Sequence, residues 1–154
     1  MENKTQGIDY FGSTADKLVH MISVIQNIFI DNGGEYLETP VFEKKEIAKA
    51  KYECELTDKL VLRYDHTVPF IRFIKEHSIK KMRRFSIGKV YRPISDTINE
   101  LYQCDFDILG ESDNSMLPEI LIFTMIDDIL SAFQVKQYSI IINDIDNLKA
   151  LLLD

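Results

Sequence analysis

Cysteine is scarce, with Cys54 and Cys104 the only two among 154 residues, and they lack the C-x-x-C spacing of a zinc or redox site. Neither a disulfide framework nor a zinc centre is therefore suggested, and both thiols are expected to act as small neutral hydrophobes. No run approaches the roughly 18 apolar residues that a membrane span needs. The opening MENKTQGIDY is too polar for a signal peptide, so a soluble, cytoplasmic location is expected. Repeats, low-complexity tracts and linkers are also missing. What remains is 45% hydrophobic and 28% charged, the composition of a globular domain of ordinary size.

Acids outnumber bases by 25 to 18, which alone argues against a nucleic-acid partner. The average hides an uneven distribution. Between Lys75 and Arg92 stand Lys75, Lys80, Lys81, Arg83, Arg84, Lys89 and Arg92 against Glu76 alone. From Pro93 onward there are twelve acids and two bases. The basic island fits a solvated charged turn or a surface that tracks phosphates.

Apolar periodicity predicts a helix capped by Thr14, carrying Leu18, Met21, Ile22, Ile25, Ile28 and Phe29, and stopped by Asn32-Gly33-Gly34. Short strands are expected at Tyr36 to Thr39 and Lys59 to Arg63, and a helix begins near Pro69. Strands at Arg84 to Arg92 and Leu101 to Leu109 form a hairpin with a medium loop from Pro93 to Asn99. A strongly amphipathic helix follows through Leu121 to Phe133, then a strand at Tyr138 to Ile142 and a short helix at Leu148 to Leu153. The sum is one α+β domain, helices covering a mainly antiparallel sheet.

Alternation along Leu101 to Leu109 places Tyr102, Cys104, Phe106 and Ile108 on an apolar face and Gln103, Asp105 and Asp107 on the other. Carboxylates about 6 to 7 Å apart on one strand repel, so such a face suits either open water or a ligand with a cationic, donor-rich group. Asp65 and Thr67, at a strand-to-helix junction, offer an acceptor and a hydroxyl, and equally a structural cap. His66, like His20 and His77, has no partner at metal-ligand spacing and reads as a packed or solvent-facing imidazole.

Three ordered segments, Leu62-Arg63-Tyr64-Asp65-His66-Thr67-Val68-Pro69-Phe70-Ile71-Arg72, Arg83-Arg84-Phe85-Ser86-Ile87-Gly88-Lys89-Val90-Tyr91-Arg92 and Gln103-Cys104-Asp105-Phe106-Asp107-Ile108, closely resemble the catalytic core of eukaryotic histidyl-tRNA synthetase. Asn32-Gly33-Gly34-Glu35 through Thr39-Pro40-Val41-Phe42-Glu43 looks like the first class II signature, which builds the family's dimer interface. The resemblance implies a class II aminoacyl-tRNA synthetase-like antiparallel sheet flanked by helices, filling residues 1–154 as the N-terminal part of the core, without the third motif or the anticodon-binding domain. It places Asp65, Thr67, Gln103 and Asp107 in a histidine-like pocket and Arg92 at the arginine that meets the ATP α-phosphate in working synthetases.

Adenylation needs further cations around the triphosphate. The family's second-motif loop is longer and ends in a G-R-Y-R-E-F-like stretch, whereas Pro93 to Glu100 here carries two acids and no base. Those departures resemble the synthetase-like regulatory domain of the general-control kinase that phosphorylates translation initiation factor two during amino-acid starvation. This likeness implies a non-catalytic module that binds uncharged tRNA and dimerises, with Lys80, Lys81, Arg83, Arg84, Tyr91 and Arg92 facing the RNA. A kinase or anticodon-binding domain would then lie outside this chain, and no cofactor is expected. The alternative is a catalytic-core fragment of an active synthetase, with Arg92 catalytic and ATP and magnesium as cofactors. A further alternative is another synthetase-like paralogue, such as the regulatory subunit of the first enzyme of histidine biosynthesis.

Overall fold

The computed structural model describes residues 4–45, 54–94, 97–110 and 116–142. In order they form β1 (Lys4–Gln6), α1 (Ser13–Asp31), β2 (Glu35–Tyr36), β3 (Phe42–Lys44), β4 (Cys54–Glu55), β5 (Leu60–Leu62), α2 (Thr67–Glu76), β6 (Met82–Ile94), β7 (Thr97–Leu109) and α3 (Leu117–Ala132). The expected helix at Leu148 to Leu153 lies outside the described residues.

The centre is the antiparallel hairpin β6–β7, paired from Met82↔Leu109 to Ile94↔Thr97. Both strands outrun the expected bounds, so the expected medium loop contracts to a connection of two residues, 95 and 96, which are themselves outside the described residues. β1 joins the outer edge of β7 and β2 the outer edge of β6, both in parallel, giving the order β1-β7-β6-β2. The sheet is thus mixed at its edges and antiparallel at its core. A second sheet, β3-β5-β4, is antiparallel.

α1 and α3 cover one face of the large sheet. Phe29, Phe85 and Met125 form the buried centre there, flanked by Ile25, Ile28, Phe106, Leu121, Ile122 and Ile129. The Phe29 ring lies 5.5 Å from Phe85 and 5.3 Å from Phe106, spacings at which tilted aromatic pairs attract. α1 stops as its glycines predict. Gly33 takes φ +78, and a Cβ on Gly34 would stand 2.6 Å from Phe106 and 2.8 Å from the Phe29 carbonyl oxygen. Its start differs: Gly12 precedes the first turn, and Thr14 sits inside that turn, its hydroxyl donating to the Phe11 carbonyl at 2.7 Å.

Two other expectations are corrected. Residues 135–142, which include the strand expected at Tyr138 to Ile142, form no strand and pair with none of the described strands. Tyr102 and Cys104, read as part of an apolar face, are exposed; the Tyr102 ring meets only that of Tyr10, 6.4 Å away, among the aromatic contacts of the described residues. Cys54 is buried.

Candidate functional site

The hairpin register builds the site. Pairing Arg84 with Asp107, Ser86 with Asp105, Gly88 with Gln103 and Arg92 with Asn99 turns all eight toward the face opposite α1 and α3. β5 and the start of α2 close over this face. Arg63, only 5% exposed, donates from Nε to the Lys89 carbonyl at 2.8 Å and from Nη1 to the Thr39 carbonyl at 3.0 Å, tying the small sheet to the hairpin. Gly88 permits this crossing, because a Cβ there would come within 2.8 Å of Arg63 Nη2.

Along the face the polar groups link in series. Arg92 lies over the Tyr64 ring at 5.0 Å and donates from Nη2 to Gln103 Oε1 at 2.7 Å. Gln103 Nε2 in turn donates to Asp105 Oδ1 at 2.7 Å. The other Asp105 oxygen stands 3.9 Å from Arg84 Nη2, which pairs with Asp107 and donates to the His66 carbonyl at 3.0 Å. Arg84 is 0% exposed, stacked 4.6 Å from the centre of the Phe70 ring.

Burial holds the Asp107 carboxyl above its ordinary range; Arg84 pulls it down, while Asp105 and Asp65 push it up again. Burial likewise works against the charge of Arg84, with Asp107, Asp105 and Asp65 opposing the loss. Three carboxylates thus act on one fully buried guanidinium, with Arg92 and Arg63 also at this face, and a ligand bringing an ammonium or imidazolium would meet acceptors there.

Of the residues read as a histidine-like pocket, Gln103 and Asp107 stand together on this face. Asp65 approaches from the junction before α2, where its Oδ1 accepts the Thr67 and Val68 amides at 3.0 Å each, the cap that the sequence allowed. Thr67 is exposed at the first position of α2. Asp105, Arg84 and His66 were absent from that set. The even spacing of Arg84 and Arg92 on one strand was the signal for Arg84 and the alternation of Gln103, Asp105 and Asp107 the signal for Asp105; His66 needed the folded structure.

The basic island does not form one surface. Lys80 and Lys81 are exposed before β6, and Arg83 is half-buried on the helix-covered face, donating to the Asn32 carbonyl at 3.3 Å. Tyr91 is also on that face, half-buried beside Glu100, while Arg92 belongs to the opposite one. Arg84, expected to face RNA, is instead sealed beneath Phe70, because strand alternation sends neighbouring arginines to opposite sides. Glu100, read as a loop acid, lies in β7 with its carboxylate 2.6 Å from Lys89 Nζ. Among the described residues no group of three metal-ligating side chains occurs. No described helix is long and apolar enough to cross a membrane.

No protein-family model matches the chain. Among curated proteins it is 38% identical to the mitochondrial histidine–tRNA ligase of Bos taurus over 80% of this chain and 27% of that one, and 39% identical to its Mus musculus counterpart over the same shares. It is 37% identical to the cytoplasmic histidine–tRNA ligase of Arabidopsis thaliana over 79% of this chain and 15% of the relative. The chain therefore spans about a quarter, or less, of the length of these relatives. Among solved structures, histidyl-tRNA synthetase from Nostoc sp. PCC 7120 superposes with a TM-score of 0.69 at 24% identity, over 86% of this chain and 34% of that one. An ATP phosphoribosyltransferase regulatory subunit/histidyl-tRNA synthetase from Bacillus halodurans gives 0.67 at 19%, over 79% and 36%. Sequence relatives and solved neighbours together place the chain among histidyl-tRNA synthetase-like class II cores.

Proposed function

We propose that the chain is a histidyl-tRNA synthetase-like module that holds a histidine-type ligand on the polar face of β6–β7 without activating it. The observation that carries this reading is the set of three carboxylates, Asp65, Asp105 and Asp107, acting on the buried Arg84. They are matched to an α-ammonium and an imidazole, with Gln103 and Thr67 supplying neutral hydrogen-bonding groups. Activation would require cations free to take a triphosphate. On this face Arg92 is engaged by Gln103 and Tyr64, and Arg84 by Asp107. The connection between Ile94 and Thr97, two residues long, supports the same reading, since it leaves no room for a base-bearing loop.

In the finer form of this proposal the module binds uncharged tRNA and dimerises, as in starvation sensing by the initiation-factor kinase. Val19, Met21 and Ile30, exposed on α1, offer apolar surface for a second copy. The second reading is a catalytic-core fragment of an active histidine–tRNA ligase, favoured by the named activity of its relatives and by the retained Arg92, Gln103 and Asp107. One experiment separates them. Calorimetry with L-histidine is expected to show binding, while histidine-dependent exchange of pyrophosphate into ATP is expected to be absent. Exchange would establish the second reading, and the absence of both binding and exchange would overturn both.

A further inference from the structure

We infer that Arg84 determines the specificity of the polar face: it cancels the charge of Asp107 while leaving that carboxylate able to accept a hydrogen bond, so the face takes a neutral N–H group such as an uncharged imidazole and rejects a cationic side chain. The inference rests on the histidine-type reading above and narrows it. Arg84 is fixed from three sides. Its guanidinium lies 4.6 Å from the centre of the Phe70 ring on α2, donates from Nη2 to the His66 carbonyl at 3.0 Å, and meets Asp107 across the hairpin. It is 0% exposed, and an arginine keeps its proton in a protein even when buried. A positive charge is thus built permanently beside Asp107.

The same contact leaves Asp107 short of a hydrogen bond. Its Oδ2 stands against Arg84 Nη2, yet among the described residues this buried oxygen accepts no hydrogen bond. The side chain as a whole is 31% exposed, so a ligand can reach the carboxylate. Charge and hydrogen-bonding capacity are therefore separated: the first is met from within the protein, and the second is open. A neutral ligand N–H would satisfy the acceptor, whereas a side chain without a donor would leave it unpaired. An ammonium would supply the bond but set a second positive charge beside Arg84 where water is largely excluded, and like charges repel strongly there. The rest of the strand pair does not relieve that repulsion. Asp105 accepts from Gln103 through Oδ1 and lies 3.9 Å from Arg84 through Oδ2, and Arg92 brings a further positive charge to Gln103. Asp105 and Asp107 are thereby matched by Arg84 and Arg92.

Three ligands that share an α-ammonium and an α-carboxylate test this by calorimetry. At about pH 7.5 the L-histidine ring, with an ordinary value of about 6.5, is mostly uncharged; L-triazolylalanine carries a neutral N–H ring, and L-ornithine is cationic. Wild type is expected to bind histidine and triazolylalanine within about threefold of each other and ornithine at least about tenfold more weakly. In Arg84→Met, ornithine should gain at least about tenfold relative to histidine, because Asp107 is then uncompensated. Each ligand has the same size in every variant, so the change in ratio reports charge. Arg84→Lys keeps the charge and should keep the wild-type order, a rescue that a space-filling role does not give; Arg84→Gln serves if the methionine variant does not fold. Histidine binding with an unchanged ornithine ratio in the neutral variants overturns the role of Arg84 and leaves the pocket reading standing. The same holds for a wild type that takes ornithine as readily as histidine, or that takes histidine and refuses triazolylalanine. If the wild type binds none of the three, the pocket reading falls and this inference with it.

Discussion

The two faces of the β6–β7 hairpin are built from the same two strands and solve opposite problems. On one, Phe85 is sealed against Phe29 and Tyr36, and Phe106 stacks on Phe29. On the other, one residue out of step along each strand, Arg84, Asp105, Asp107, Gln103 and Arg92 are locked in polar contacts. The apolar face gains stability from every contact. The polar face loses hydration for Asp105, Asp107 and the fully buried Arg84, whose Nε and Nη1 are left without partners. A strand that needed only to fold would carry the first solution on both sides.

Breaking the apolar face should have the largest effect. Phe85→Ala is expected to cost about 3–5 kcal/mol, measured by chemical denaturation, because the ring is fully buried and its neighbours cannot close the gap. On the polar face Arg84→Met should cost about 2–3 kcal/mol, less than for a wholly buried pair because Asp107 is 31% exposed. The double variant Arg84→Met with Asp107→Leu sharpens the contrast. It should recover at least half of that loss while abolishing histidine binding by calorimetry, whereas a double variant no more stable than the single one would make the polar face structural. The smallest effect belongs to the exposed Lys80 and Lys81. Alanine at both should change stability by no more than about 0.5 kcal/mol and flatten the salt dependence of tRNA binding by about 0.7–0.9 per lost phosphate contact. An unchanged salt slope would remove both lysines from any RNA surface.

Much of this contrast is visible in sequence. Strict alternation in β7 separates Phe106 from Asp105 and Asp107, and the apolar spacing of α1 and α3 marks what covers the first. The helix stop at Gly33-Gly34 and the start of α2 near Pro69 follow from local chemistry alone. What resisted reading depends on pairing that no local pattern names. β3 and β4 are three and two residues long, too short for any period, and exist only through pairing with β5. Arg84 has the composition of a surface cation, and only its register opposite Asp107 makes it internal. Tyr138 to Ile142 has the β-branched composition of a strand, but it forms no ladder with the described strands, since propensity alone does not decide a strand.

Because β6 and β7 are consecutive and meet at a tip of two residues, their 13-residue ladder closes rung by rung, each step adding little loop entropy. Contacts so local form early, so the hairpin is the natural nucleus of folding. β1 and β2 wait on residues far away in the chain and join afterwards. The order should be preserved in hydrogen exchange, with amides at the middle of the hairpin the last to open and those of β1 and β4 the first. The polar face would then be drawn up in outline, with Arg84 already opposite Asp107, before Arg63 and His66 arrive to cover it.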